Sequence, residues 1–248
     1  YGTNGFYLPF NLSGTANYAG YFNTNYGTIA ANSAFNIGTS DFTVEAWFNS
    51  SNFGAKQFII SQWNSSSYGW AFSVASQTSI AFEYYTGGSY VNRVYTVPSI
   101  NANAWNHIAY VRASGTTTIY INGVAVGTSS DNVSIQTSSY SVVIGRNGDG
   151  GGQPMVGYIS NLRYVKGTAV YTSNFTPSTT PLTAITNTQL LTLQNSTFID
   201  NSTNAFSISN TGVTLSTQNP FSVSVFNDQS PQGNNWSPNN ISELYGST

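Results

Sequence analysis

Short runs of β-branched and aromatic residues, each bounded by Gly, Asn, Ser or Pro, most constrain how this chain of 248 residues can fold. Apolar residues nowhere recur at helical spacing over three turns, so no long helix is predicted. In the run 42–48, Thr43, Glu45 and Trp47 alternate with an apolar set that should face a core, namely Phe42, Val44, Ala46 and Phe48. The pattern predicts an all-β fold.

Further strands are predicted from runs of the same kind. They lie at residues 58–62, 69–74, 79–84, 90–96, 106–112, 117–121, 142–145 and 156–165. Asn122 and Gly123 stand between the run 117–121 and another at 124–128. Both central positions of a type I′ turn need positive φ, which an Asn-Gly pair supplies. These two residues therefore predict a tight hairpin.

Three of these segments, at 42–48, 105–111 and 119–123, resemble the laminin-G-like branch of the concanavalin-A-like lectin and glucanase superfamily. They follow one another in that family's order and at its approximate spacing. The resemblance implies a jelly-roll β-sandwich of two antiparallel sheets. It also implies that the domain recognises a ligand or partner and is not an enzyme.

The domain organisation follows from this fold. A jelly roll commonly returns its last strands beside its first, so residues 189–216 are expected next to the N-terminal strand. We therefore predict one laminin-G-like sandwich over residues 12–220. The turn-rich ends are predicted to be an N-terminal connector strand at 1–11 and, at 221–248, a linker or the start of a following segment.

Both ends, together with the segments 171–177 and 190–202, resemble strings that recur around laminin-G-like modules in structural proteins of tailed phages. The resemblance implies a module on the surface of a virion, in a fibre, decoration or tail protein. Its expected partners are other virion proteins or copies of itself, and a cell-surface glycan. Two alternatives stay open: a purely structural capsid or filament contact module, and a bacterial secreted, extracellular adhesin or carbohydrate-binding module.

Composition excludes several other classes of protein. Charged residues make up 6% of the chain, with 6 Lys and Arg against 8 Asp and Glu, so nucleic acid is not an expected partner. Cysteine is absent, which excludes disulfides and thiolate metal sites. No apolar run approaches the roughly 20 residues that span a bilayer, and membrane insertion is not expected.

Catalytic residues are not predicted. Glucanases of this fold need two carboxylates set close together, whereas Glu45, Glu83 and Glu243 are widely separated in sequence. His107 is the only histidine, and no Gly-x-Ser-x-Gly elbow accompanies it. We interpret His107 as structural and Glu45 as a strand residue that is hydrogen-bonded or solvated.

Calcium is the one cofactor that the sequence brings into consideration. Asp149 lies in a glycine-rich loop whose backbone carbonyls could join its carboxylate around the ion, and Asp131 lies in a neighbouring connection. A plain turn is the alternative interpretation of this loop. No other cofactor is predicted.

Aromatic residues are the remaining functional signal. Two groups flank the serine-rich loop near residue 65 and the Gly87-Gly88 turn, where flat rings could stack on sugars. The predicted ligand-binding residues are Trp63, Tyr68, Trp70, Tyr84, Tyr85 and Tyr90. The alternative is that about half of these aromatic side chains belong to the core and the others line an oligomer contact.

Overall fold

The computed structural model of this chain describes residues 17–64, 68–148 and 152–221. Its strands are β1 (Ala19–Asn23), β2 (Tyr26–Ile29), β3 (Phe42–Asn49), β4 (Gln57–Asn64), β5 (Tyr68–Ser76), β6 (Ser79–Thr86), β7 (Ser89–Thr96), β8 (Asn106–Ala113), β9 (Thr116–Ile121), β10 (Val124–Ser130), β11 (Val142–Ile144), β12 (Val156–Lys166), β13 (Thr188–Thr192), β14 (Ile208–Thr211) and β15 (Thr214–Ser216). A single 3-10 turn spans Ser33–Phe35 among the described residues.

The strands form two antiparallel sheets. The eight-stranded sheet has the order β10-β9-β8-β3-β12-β1-β15, with β13 also paired to β12. The seven-stranded sheet has the order β14-β2-β11-β4-β5-β6-β7. This architecture confirms the predicted all-β jelly-roll sandwich.

The core lies between the inner faces of the two sheets. Strand β3 contributes the four side chains that its alternation predicted, because Phe42, Val44, Ala46 and Phe48 are all 0% exposed. Opposite them on the seven-stranded sheet, Phe82 stacks on Tyr110 with ring centroids 4.2 Å apart. Burial of large aromatic rings supplies much of the apolar area that holds such a sandwich together.

The hairpin predicted at Asn122 and Gly123 is confirmed, since their φ angles are 49° and 80°. The predicted return of residues 189–216 is confirmed as well: β13 pairs with β12, and β15 pairs with β1. Strand β14 pairs instead with β2, so the β14–β15 connection joins the two sheets. The terminal connectors lie outside the described residues apart from Phe221, and the domain bounds of 12 and 220 stay a prediction.

A segment without regular structure covers part of the outer face of the eight-stranded sheet. We call residues 167–183 the strap. Its backbone is fixed to the Asn-Gly hairpin, because Phe175 N donates to Gly123 O at 2.9 Å and Ala125 N donates to Asn174 Oδ1 at 2.9 Å. Two outer faces of different character therefore result, one covered by the strap and one belonging to the seven-stranded sheet.

Candidate functional site

The structure separates the predicted ligand-binding aromatics into two groups. Trp70 and Tyr84 are 0% exposed, which corrects their prediction as ligand residues because a sugar at the surface cannot reach them. Trp70 Nε1 donates to Phe35 O at 2.9 Å, and the Tyr84 hydroxyl donates to Asp131. Tyr68 begins β5, and its side chain lies outside the described structure.

The other three predicted residues come together, and we call Trp63, Tyr85 and Tyr90 the aromatic trio. Trp63 is 5.3 Å from Tyr85 and 5.6 Å from Tyr90 between ring centroids, and the two tyrosine rings are 5.8 Å apart. Tyr90 is 47% exposed, and the other two side chains are half-buried. The trio is therefore an aromatic cluster that reaches the surface.

Local sequence explains why these rings meet. Tyr85 pairs directly with Tyr90 across the β6–β7 hairpin, whose turn uses Gly87 and Gly88. Trp63 pairs with Gly69 of β5. Trp70, the next residue of β5, pairs with Tyr84, so Gly69 lies beside Tyr85. Because glycine has no side chain, the rings of Trp63 and Tyr85 can approach each other above Gly69. A larger residue there would also collide with the backbone of Gln62.

Glu83 lies on the same face of β6, two residues before Tyr85. Its Oε1 accepts hydrogen bonds from Lys56 Nζ at 2.8 Å and from the Tyr90 hydroxyl at 2.5 Å. Its Oε2 is buried and has no hydrogen-bond partner among the described residues. Burial first, and then the bond to Glu83, raise the pKa of Tyr90 above its usual range, so its hydroxyl remains protonated.

The trio stands at the margin of this face. Glu83 pairs with Ala71 on one side, which is 0% exposed, and with Asn92 on the other, which is exposed. The loop that follows β11 packs against β4 beside the trio. A Cβ added to Gly148 of this loop would lie 2.5 Å from the carbonyl oxygen of Trp63.

The two predicted calcium ligands have different outcomes. Asp149 lies outside the described residues, so its role stays a prediction. The side chain of Asp131 is 1% exposed, accepts from Tyr84 and lies 3.6 Å from Arg93 Nη2. These partners correct its prediction as a metal ligand, because the carboxylate is engaged in the interior. No group of three metal-ligating side chains occurs in the part of the chain that the structure describes.

A second carboxylate, Glu45, is buried on the outer face of the eight-stranded sheet. Its Oε1 accepts from Arg163 Nε at 2.8 Å, and its Oε2 accepts from the Tyr171 hydroxyl at 2.8 Å and lies 3.0 Å from His107 Nε2. Burial alone would raise the pKa of Glu45, but His107, Arg163 and Tyr171 together hold it below its ordinary value. We call these four residues the Glu45 network.

Three of the residues that define these two faces were not predicted from the sequence. Glu83 and Lys56 were not predicted as site residues, and Arg163 was not assigned to Glu45. The alternation of β6 contained the relevant signal: Phe82 and Tyr84 face the core, so Glu83 and Tyr85 must face outwards. The strap contact of Glu45 had no such local signal.

Another aromatic cluster lies on the eight-stranded sheet. Tyr21 is 5.0 Å from Tyr158, and Trp105 is 6.2 Å from Tyr158, between ring centroids. Unlike the trio, it has no carboxylate hydrogen-bonded to its rings among the described residues. It therefore serves as a comparison for the trio.

The comparisons with known proteins agree with this architecture. The model of a laminin G family, described as the concanavalin A-like lectin/glucanases superfamily, matches residues 23–170. This chain belongs to that superfamily. No curated protein sequence matches the chain significantly.

Several solved structures are similar. A protein of Bacteroides ovatus ATCC 8483, proposed to bind carbohydrate, has 20% sequence identity and a TM-score of 0.60, with 82% of this chain and 60% of that protein covered. Domains LG4-5 of the mouse laminin alpha1 chain have 10% identity and a TM-score of 0.47, covering 65% of this chain and 47% of theirs. The CBM40 of Ruminococcus gnavus IT-sialidase, bound to alpha2,3 sialyllactose, has 15% identity and a TM-score of 0.49, covering 64% of this chain and 95% of its own. The Bacteroides similarity shows a shared fold, and this chain spans 60% of that protein's length.

Proposed function

We propose that this domain is a non-catalytic carbohydrate-binding module whose site is the aromatic trio with Glu83. The observation that carries the proposal is the contact between three clustered rings, one of them well exposed, and a carboxylate that has one oxygen without a hydrogen-bond partner among the described residues. Aromatic faces stack on sugar rings, and a carboxylate oxygen accepts their hydroxyl protons. The resemblance of the fold to a protein proposed to bind carbohydrate adds support.

The arrangement of the carboxylates in the described residues favours binding over hydrolysis. A glycosidase needs two carboxyl groups within about 5 to 10 Å of each other, on either side of the scissile bond. Glu45 and Glu83 project from the outer faces of different sheets, on opposite sides of the sandwich. Asp200 is committed to backbone donors, accepting from Leu191 N, Ser202 N and Phe206 N.

The proposal is tested by glycan-array binding followed by calorimetry with the strongest ligand. Trp63→Ala is expected to weaken binding by about 30-fold or more, since a central aromatic contact is worth about 2 kcal/mol. Trp105→Ala removes an aromatic residue from the comparison cluster and should bind as the unsubstituted protein does. Equal losses in the two folded variants, or an array without any bound glycan, would contradict the proposed site.

We further propose that the module is displayed on a virion surface. This rests on the phage-like terminal segments and the strap sequence at 171–177. No helix among the described residues is long and apolar enough to cross a membrane. Antibodies against the domain should label purified phage particles in electron micrographs. Labelling of bacterial culture medium without particles would favour the secreted adhesin instead.

A contact module between subunits is the second candidate function. It is favoured by one observation: Tyr90 and Val94, 47% and 53% exposed, both lie on the edge strand β7. Sedimentation without glycan distinguishes the two functions. A stable oligomer that Val94→Lys dissociates, together with a blank glycan array, would support the contact module.

A further inference from the structure

Two carboxylates in this molecule have the same kinds of partner but are satisfied to different degrees. Both oxygens of Glu45 accept hydrogen bonds within its network. Glu83 also has a tyrosine hydroxyl and a cation as partners, yet both bind Oε1 and leave Oε2 without any partner among the described residues. A buried polar atom without a hydrogen bond is costly, and such atoms often mark a functional site.

We infer that Glu83 makes the aromatic trio selective for neutral glycans, by accepting a sugar hydroxyl on Oε2 and disfavouring acidic sugars. The inference rests on the proposed carbohydrate-binding function and adds the class of ligand. An ionised carboxylate is only an acceptor, so the group that satisfies Oε2 must be a donor. A sulfate or carboxylate on the ligand would face an acceptor of its own charge.

The cations near the site are already engaged. Lys56 Nζ lies 2.8 Å from Glu83 Oε1 and is paired with that carboxylate. Arg93 lies 3.6 Å from Asp131 on the inner side of the sheet. An anionic ligand at the trio would thus have to take a cation from an existing partner, whereas a neutral ligand would not.

Arg146 is the third cation of this region, in the loop that approaches Trp63. Its guanidinium lies over the ring of Tyr26, 3.4 Å from the centroid. This contact holds Arg146 on the far side of β11 from the trio, against β2. It does not supply the positive charge that recognition of an acidic sugar requires.

Access to Oε2 depends on the side chains that hold Oε1. Lys56 has a side chain that is 20% exposed, and Tyr90 is 47% exposed on an edge strand. Exposed side chains change rotamer within nanoseconds, so Tyr90 can turn aside as a ligand enters. The sugar ring then packs on Trp63 and Tyr85 while one of its hydroxyls donates a hydrogen bond to Glu83 Oε2.

The test uses an array on which lactose and N-acetyllactosamine are each printed in neutral, sulfated and sialylated form, beside neutral glucans and mannans. The unsubstituted protein should bind neutral glycans about tenfold or more tighter than acidic ones. Glu83→Gln should weaken neutral binding by about tenfold, the value of one charge-assisted hydrogen bond. It should also narrow the difference between neutral and acidic forms.

Lys56→Gln is the second variant. It leaves Glu83 as an uncompensated anion, so neutral binding should persist and acidic binding should fall further. Equal binding of neutral and acidic glycans by the unsubstituted protein, or an unchanged profile in folded Glu83→Gln, would overturn the selectivity and leave the binding function in place. A blank array would overturn both.

Discussion

The outer faces of the two sheets each hold a buried carboxylate with a tyrosine and a cation as partners, but the two carboxylates are satisfied to different degrees. On the eight-stranded sheet, Glu45 is 0% exposed beneath the strap, with Tyr171 among its donors. On the seven-stranded sheet, Glu83 is 5% exposed, accepts from the exposed Tyr90, and has one oxygen without a hydrogen-bond partner among the described residues. The difference lies in what covers each carboxylate: the strap supplies a donor to the second oxygen of Glu45, whereas no described residue supplies one to the second oxygen of Glu83.

The largest expected effect compares the two carboxylates by substitution. Glu45→Gln should lower the free energy of unfolding by about 3 to 5 kcal/mol, since it leaves the buried Arg163 guanidinium without its anion. Glu83→Gln should cost about 1 kcal/mol or less, because Lys56 can turn towards water. Urea denaturation measures both. A larger loss for Glu83→Gln would reverse the assignment of structural and functional roles.

A second comparison uses two glycines with nearly equal backbone conformation. Gly123 has a φ of 80° and Gly88 a φ of 79°, but a Cβ on Gly123 would collide with the carbonyl oxygen of Phe175, while one on Gly88 meets nothing within 4 Å. Gly123→Ala should therefore cost about 3 kcal/mol, and Gly88→Ala about 1 kcal/mol from backbone strain alone. Equal changes in thermal midpoint would show that the strap does not press on the hairpin.

Removal of single hydroxyl groups should give a smaller effect. Tyr171→Phe takes one donor from the covered Glu45 carboxylate and should cost about 2 kcal/mol. Tyr90→Phe takes one from Glu83 and should cost about 1 kcal/mol, because Lys56 remains as a donor to the same oxygen. Stability curves of the two variants provide the measurement, and a costlier Tyr90→Phe would argue against an adaptable site.

The smallest effect is a dependence of stability on pH in acid. Because its partners hold the pKa of folded Glu45 below the ordinary value of 4.5, the folded state binds fewer protons than the unfolded state in this range. The stabilisation is complete above 4.5 and is lost as pH falls towards the folded pKa. Urea midpoints between about pH 6 and pH 3 should decline more steeply for the unsubstituted protein than for Glu45→Gln. Parallel curves would mean that the partners of Glu45 do not lower its pKa in the folded state.

Much of the fold could be predicted because its signals are local. The alternation of β3 placed Phe42 and Phe48 in the core, and the preferred φ values of Asn122 and Gly123 specified the hairpin. These preferences act between neighbours along the chain, so a single sequence contains them.

The site was less predictable for two physical reasons. Strand β4 has a register irregularity between Phe58 and Ile60, which breaks the simple alternation that would have assigned the face of Trp63. The hydrogen bonding of the buried Glu45 carboxylate depends on Tyr171, 126 residues away, and on Arg163, 118 residues away. Contacts at such separations follow from the packing of the whole domain. Trp70 was misassigned as a ligand residue because proximity to a loop in sequence does not determine which face a side chain takes.

The pairing of β1 with β15 has a mechanical consequence. Ala19 is opposite Ser216 in this antiparallel pair, and Asn219 Nδ2 donates to Asn17 O at 3.0 Å, so the chain arrives and departs at one corner. Tension applied between these two points would peel the edge strand β15 away one hydrogen bond at a time, instead of shearing the whole ladder at once. The sandwich is thus poorly suited to carry a pulling force between these two points.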